Sequence, residues 1–438
     1  MKNIKYQILA AFSILLVQSC ATIDKISIEE KVATPSYASE TNIYLIGDAG
    51  YVDNENQSKV LKALENNIKN ASKGDVLLFL GDNIYPKGFD ENNAETAKKN
   101  LDQQLLVAKQ FKGKVIFIPG NHDWYSGIDG LKLQEKYIED ALGKNSFLPE
   151  KGCPLDTYDV SKDVVILTID SEWYLTDWDK HPKINDNCEI NTRDKFWAEL
   201  KSEINKNQNK TIILAIHHPL KSNGSHGGQF AFSILKSPLN VLRNASGVSP
   251  ADSNFPLYRE LSNRITTLLQ EYKDNTIVVS GHDHNLQFVE HKNIPQIISG
   301  SGSKVKAVRH FNDKKTFGYA GLGFAVLHLN NNNQSVSYYN ENKQEIHHQI
   351  IRKEIENKQD YPAFDASLPA TTSASIYPEK ENKSGSYKWF FGNHYRKLYE
   401  TKIQFPNVNI DTLYGGLNPI KLGGGNQSIS LRMEDKEG

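Results

Sequence analysis

The chain has 438 residues, of which 38% are hydrophobic, 24% charged and 10% aromatic, a length that suits roughly two or three domains or one large α/β domain with tails. Lys plus Arg number 51 and Asp plus Glu 52, giving a formal charge of −1, so there is no broad basic footprint to displace the counterions of nucleic acid, and none is expected as a partner. Twenty-nine glycines and 16 prolines exclude collagen-like and wholly disordered classes, and three cysteines are too few for a disulfide scaffold.

At the amino end, Lys2 and Lys5 precede an apolar run over residues 8–17. That run is too short to cross about 30 Å of hydrocarbon as a helix, so residues 1–19 read as a signal peptide. It ends Val17-Gln18-Ser19-Cys20, which resembles the lipobox of bacterial lipoproteins. The resemblance implies cleavage before Cys20 and a diacylglycerol on its thiol. Acyl chains would then hold the mature protein to a membrane of the bacterial cell envelope, at the outer membrane or the periplasmic face. The alternative is a plain secretory signal in which Cys20 is discarded. Cys153 and Cys188 remain as an even pair, and an oxidising compartment makes a disulfide between them the expectation.

Residues 20–40 are polar and aperiodic and read as a tether. From there to about residue 350, short apolar runs alternate with segments of helical period, the pattern of an α/β domain. The runs cover residues 43–46, 76–80, 115–118, 164–169, 212–216 and 277–279. Helical spacing joins Leu101, Leu105, Leu106 and Ala108, then Phe196, Trp197, Leu200 and Ile204, then Leu257, Leu261, Ile265, Leu268 and Leu269. After His284 the texture turns to β, over residues 286–289, 296–299, 322–329 and 336–339. Residues 351–385 are rich in Lys, Glu, Ser, Thr and Pro, which suggests an exposed linker. Residues 386–438 regain aromatics (Trp389, Phe390, Phe391, Tyr395, Tyr399) without a clear core, and an envelope partner is their expected contact.

Five apolar runs end alike, in a small residue or short turn followed by side chains that bind metals. They lead to Gly47-Asp48-Ala49-Gly50, to Gly81-Asp82-Asn83-Ile84-Tyr85, to Gly120-Asn121-His122-Asp123, to His217-His218-Pro219 and to Gly281-His282-Asp283-His284. Ligands of open α/β sheets bind beyond the carboxyl ends of the strands, so five buried strands would deliver these groups to one crevice. Each piece alone is a common turn; their conjunction has no such explanation. Asp48, Asp82, Tyr85 and His284 would offer one ion two carboxylates and a phenolate, a hard anionic set that favours Fe(III). Asn121, His217 and His282, with Asp82 shared, would offer a second ion a mainly neutral shell suited to divalent Fe, Zn or Mn. Two ions about 3.5–4 Å apart can clamp a phosphoryl centre and acidify a bridging water.

In order, the five motifs resemble those of the calcineurin-like metallophosphoesterases and, within them, the purple acid phosphatases of the small tartrate-resistant type. Gly-Asp-x-Gly at the first motif, the tyrosine of Gly81–Tyr85 and the run Gly281-His282-Asp283-His284-Asn285-Leu286-Gln287 carry the likeness, which covers about residues 41–345. It implies a four-layer α/β/β/α sandwich, here with an extra C-terminal tail, and the metal assignment above with Asp82 bridging. It also implies that His122 and His226 line the phosphate pocket, His226 standing nine positions after His217 as in the small type. His218 rivals His217; the family's ligand stands two residues before a proline, as His217 does before Pro219. Tyr51 after Gly50 and the long segment between Leu235 and Phe255 depart from the pattern and are expected to shape the substrate mouth. Asp170 reads as a turn residue or a support of the site.

The function this implies is hydrolysis of phosphomonoesters by attack of a metal-held hydroxide, with His122 and His226 neutralising phosphoryl oxygens and one of them protonating the leaving alkoxide. Two alternatives stand beside it: a phosphodiesterase or nucleotidase with the same metals, and a non-catalytic envelope binding or assembly module. No Gly-x-Ser-x-Gly elbow or nucleotide-binding loop occurs, and Gly300-Ser301-Gly302 lacks the spacing of either phosphate fingerprint.

Overall fold

Apolar runs with no polar alternation suit strands covered on both faces, and the six runs take that position. The computed structural model describes residues 41–51, 58–228, 246–309, 316–330 and 333–353, and the backbone of 384–391, 400–404 and 429–435. The expectations for the signal peptide, Cys20 and the tether lie outside the described residues, as do most of the segment between Leu235 and Phe255 and most of the linker. No helix among the described residues is long and apolar enough to cross a membrane.

The strands in chain order are β1 (Thr41–Ile46), β2 (Val76–Phe79), β3 (Lys114–Phe117), β4 (Leu155–Asp159), β5 (Val164–Ile169), β6 (Thr211–Ile216) and β7 (Thr276–Ser280). There follow β8 (Leu286–His291), β9 (Ile294–Ser299), β10 (Thr316–Tyr319), β11 (Gly323–Leu329), β12 (Asn333–Asn340) and β13 (Glu345–Lys353). One sheet has the order β13-β12-β11-β1-β2-β3 and the other β10-β8-β9-β7-β6-β5-β4. Within the first, β1, β2 and β3 run parallel; within the second, β5, β6 and β7 do.

Alternate residues of each strand serve different layers. On β1, Ile43 and Leu45 join Ile116, Ile213, Val279 and Ile297 in a core between the two sheets. Tyr44 and Ile46 face the other way, into a core shared with helices. The helix Ala94–Ala108 contributes Leu101 and Leu105, Arg193–Lys206 contributes Phe196 and Leu200, and Pro256–Leu269 contributes Leu261 and Ile265. The result is the four-layer sandwich, with two sheets face to face and helices outside. Each fully buried Ile or Leu contributes about 1.5–3 kcal/mol relative to exposure, which explains the near-continuous apolar runs of β1–β3 and β5–β7.

Two differences from the sequence reading have physical reasons. The helical stripe at 101–108 includes Leu106, which is 52% exposed because helical spacing puts it off the buried face. β4, β10 and the helix Gly127–Leu142 carry polar alternates or turn residues that hide them from a periodicity count. As the four-layer sandwich implies, the strands that carry the candidate ligands divide between two sheets, so the crevice lies where the carboxyl ends of β1–β3 meet those of β6 and β7.

The chain divides into two compact units, 1–354 and 355–438. The first closes with β13, three residues beyond the expected limit. The second contains an antiparallel sheet of order β15-β14-β16, formed by β14 (Ser384–Phe391), β15 (Glu400–Gln404) and β16 (Ile429–Asp435). Its first strand thus begins within the segment read as linker.

Candidate metal centre

Three strand exits turn by the same device. Asp48, Asp82 and His282 each follow a glycine and each adopts positive φ, at 58°, 55° and 68°. An L-residue held there costs on the order of 1–3 kcal/mol and persists only where surrounding structure imposes it. The loops impose it on one another: Asp48 N donates to Gly81 O at 2.9 Å, Gly50 N to Asp82 O at 3.1 Å and Gly281 N to His217 O at 3.1 Å. Gly81 itself has φ 89°, and a Cβ there would lie 2.6 Å from His217 Nδ1 and 2.8 Å from Gly120 N. Only glycine allows this approach.

The turns aim four side chains at one point. Tyr85 Oη lies within hydrogen-bond reach of Asp48 Oδ1 at 2.9 Å, Asp82 Oδ2 at 2.8 Å and His284 Nε2 at 3.2 Å. One ligand atom each of Asp48, Asp82 and His284 falls within 4.8 Å of the others. Asp82 leads to the second group: its Oδ1 is 3.4 Å from His217 Nε2. Asn121 Oδ1 is 3.3 Å from that same nitrogen and 3.1 Å from His282 Nδ1. All seven are buried.

Each histidine of the second group is oriented from behind. His217 Nδ1 donates to Leu80 O at 2.7 Å and His282 Nε2 to Ala251 O at 2.7 Å. A ring nitrogen that donates to a carbonyl leaves the opposite nitrogen as a lone-pair donor, and in both rings that nitrogen faces Asn121. The amide of Asn121 in turn donates to Tyr125 Oη at 2.7 Å, directing its carbonyl oxygen inward.

Electrostatics tests whether cations fit. Burial and the charge of Asp82 raise the Asp48 carboxyl to about 7. Burial would raise Asp82 too, but His217 and His122 outweigh it and hold that carboxyl below its ordinary range. Burial and both carboxylates push the Tyr85 phenol well above 10. Burial, with Lys306 nearby, lowers His284 to about 3, and burial with three neighbouring histidines lowers His282 far below 6.5. Asp48 and Tyr85 pushed towards their protonated forms, next to His282 and His284 pushed towards neutrality, describe a site in need of positive charge. Resident cations would supply it, and the residues fit.

The two expected pocket histidines flank this cluster. His122 Nδ1 lies 2.7 Å from Pro86 O, and its Nε2 stands 4.0 Å from Asp82 Oδ2; burial lowers its pKa. His226 lies against His282 with ring centroids 4.4 Å apart. Its Nδ1 is 3.0 Å from Asp252 Oδ1 and its Nε2 3.0 Å from Lys306 Nζ. Asp283, between the two candidate ligand histidines, accepts from His226 N at 3.1 Å and from the Ser222 hydroxyl, and so pins the His226 loop. Asp170 stands apart from the cluster: it caps the helix Ser171–Leu175 through Trp173 N at 3.0 Å and accepts from Trp124 Nε1 at 2.8 Å. Cys153 and Cys188 are joined by a disulfide with Cα atoms 5.4 Å apart.

Sequence reading passes over Asp252, Lys304 and Lys306. Lys304 Nζ sits 3.1 Å from the Tyr85 ring centroid. The signal for the lysines is two cations at alternate positions after Gly300-Ser301-Gly302-Ser303; Asp252 has no local signal, because only the fold brings it to His226.

Residues 41–286 match the family described as calcineurin-like phosphoesterase. Over 124 residues, 26% of this chain, the sequence is 28% identical to glideosome-associated protein 50 of Plasmodium falciparum, a match that spans 31% of that relative's length. A solved structure described as GAP50, the anchor in the inner membrane complex of Plasmodium, superposes with a TM-score of 0.51 at 20% identity, covering 72% of this chain and 89% of that one. A dimetal phosphatase from Danio rerio covers 72% of this chain and 99% of its own at 12% identity, with a TM-score of 0.46. The GAP50 likeness is one of fold.

Proposed function

Because the chain belongs to the calcineurin-like phosphoesterase family, whose members are metal-dependent, we propose that it is a two-metal phosphatase of the purple acid phosphatase branch acting on phosphomonoesters. The observation that carries this reading is the Tyr85 hydroxyl within bonding reach of both Asp48 and Asp82, since a phenol beside two carboxylates suits Fe(III). Asp48, Asp82, Tyr85 and His284 would hold that ion. Asn121, His217 and His282, sharing Asp82, would hold divalent Fe, Zn or Mn. When bound, such a pair supplies Lewis acidity to the phosphoryl oxygens and lowers the pKa of water.

The chain's own residues do the rest. His122, its Nδ1 engaged by Pro86 O, presents Nε2 towards Asp82 and hence to a phosphoryl oxygen above it. His226, braced by Asp252, stands on the opposite flank, where it can deliver a proton to the leaving oxygen. No covalent phosphoenzyme is required. Anchorage to the cell envelope through Cys20 belongs to the same proposal; labelled palmitate should enter the parent chain and not Cys20→Ala.

The test is a visible spectrum and metal analysis of the purified full chain, with parallel assays of p-nitrophenyl phosphate and its bis-ester. A phenolate-to-iron band with monoester preference supports the reading. Diester preference or a colourless, iron-free active enzyme overturns the branch. An Asp82→Ala variant that keeps parental turnover sinks the site. A metal-loaded protein inert towards both esters would favour a binding or assembly module.

A further inference from the structure

The ring of Tyr85 has a contact of its own, apart from those of its hydroxyl. Lys304 Nζ stands 3.1 Å from the ring centroid, and the Tyr51 ring centroid is 5.7 Å from the same ammonium. Backbone holds the lysine there. Gly302 N donates to Gly47 O at 3.0 Å, the Ser303 hydroxyl to Asp48 O, and Lys306 N to His284 O at 2.7 Å. A Cβ on Gly302 would lie 2.6 Å from Gly47 O, so the approach needs glycine. Tyr85 is tied to the same loop: its N donates to Gly50 O at 3.0 Å. The loop 47–50 thus fixes both the ammonium and the ring beneath it.

The charges around this pair explain what the contact is for. Lys304 is half-buried; burial works against its charge, and Asp82 and Asp48 support it. Burial and the same two carboxylates keep the Tyr85 hydroxyl protonated when no cation is bound. A neutral phenol offers the ammonium only its ring quadrupole. An ionised phenol adds a full negative charge, so the attraction grows when the phenol gives up its proton to ligate a metal. The ammonium itself has three donors and no lone pair, so it cannot be a ligand.

We propose that Lys304 is a positioning residue for Tyr85: its ammonium, seated on the ring, stabilises the ionised phenol as a ligand and weakens its electron donation to the ion. This rests on the reading of Tyr85 as a ligand of Fe(III) and adds the residue that sets that ligand's electronic character. Two signs follow. A cation centred on the ring lowers the filled orbitals of the phenolate more than those of an ion beyond its oxygen, so the charge-transfer band lies at shorter wavelength. The same positive charge favours the reduced ion over the oxidised one, so the iron is easier to reduce.

Both signs can be read without turnover on the purified full chain reconstituted with Fe(III). In Lys304→Gln and Lys304→Met the phenolate-to-iron band should move to longer wavelength. The equilibrium constant for reducing that iron should fall about tenfold, or about 59 mV for one electron. Lys304→Arg keeps a cation able to stack on the ring and should restore most of both. Lys306→Gln removes an equal charge from the neighbourhood and should move the band less. An unmoved band and potential in the Gln and Met variants overturn the proposal, and so does an equal shift in Lys306→Gln, which would assign the effect to net charge. If the parent shows no such band with iron bound, Tyr85 is no ligand, and the Fe(III) reading falls first and this proposal with it.

Discussion

His217 and His218 are neighbours in sequence whose rings stand at 87° to each other with centroids 5.1 Å apart. His217 turns Nε2 to Asp82 at 3.4 Å. His218 turns away: its Nδ1 meets the Ser171 hydroxyl at 2.7 Å, and its Nε2 stands 3.9 Å from Glu172 Oε2. One ring faces the candidate centre and the other packs behind it.

That division predicts opposite phenotypes. His217→Ala should lower bound metal by about one ion per chain and turnover by about a thousandfold or more, the scale expected when electrostatic stabilisation of the transition state is lost. His218→Asn should keep its metal and lose on the order of 1–3 kcal/mol of stability, the cost of disturbing a buried polar contact. Metal analysis with urea titration reads both. Metal loss in the His218 variant and retention in the His217 variant would reverse the assignment.

Gly81 should tolerate no side chain. Gly81→Ala combines φ 89° with a Cβ 2.6 Å from His217 Nδ1, so a loss of about 2–4 kcal/mol in stability is expected from strain and overpacking. The same displacement moves His217, so metal affinity should fall as well. A variant with parental stability and metal content would show that the loop yields freely.

A pH dependence of stability should originate far from the centre, at His328 on β11. Its Nδ1 lies 2.7 Å from Asn42 Oδ1 and its Nε2 3.2 Å from Ser337 Oγ. Burial, then His348 with its ring centroid at 6.4 Å, outweigh Asp75 and lower its pKa to about 4. Between pH 4 and about 6.5 the unfolded chain binds a proton there that the folded chain refuses. Stability therefore falls as the solution is acidified through that window, by about 2 kcal/mol between pH 7 and 4.5. In His328→Asn this part of the slope should vanish; equal slopes in denaturant titrations of parent and variant would contradict it.

The disulfide closes a loop across a sequence separation of 35. On chain-entropy grounds, Cys153→Ser with Cys188→Ser should lower stability by about 3–4 kcal/mol. The lost stability should appear in urea midpoints of the oxidised parent against the double variant. Coincident midpoints would mean that the bridge constrains nothing in the unfolded chain.

Much of the fold was legible in the chain itself. Strands buried on both faces leave an unbroken apolar signature, and the helix at Arg193–Lys206 buries Phe196, Trp197, Leu200 and Ile204 as their spacing indicates. The seven candidate ligands were legible for a related reason: each follows a strand exit, and a strand end is a fixed address. β4 and β10 were not, because their pattern does not exceed the background of ordinary polar segments.

Local sequence determined which residues could bind metal, since donor chemistry and turn geometry are properties of a few adjacent residues. Tertiary structure alone decided that His218 turns to Ser171 and Glu172 behind the candidate centre. It alone also brought Asp252 to His226 and Lys304 to Tyr85. Those pairings join residues 26 and 219 positions apart, and no local pattern encodes a contact that exists only once the intervening chain has packed.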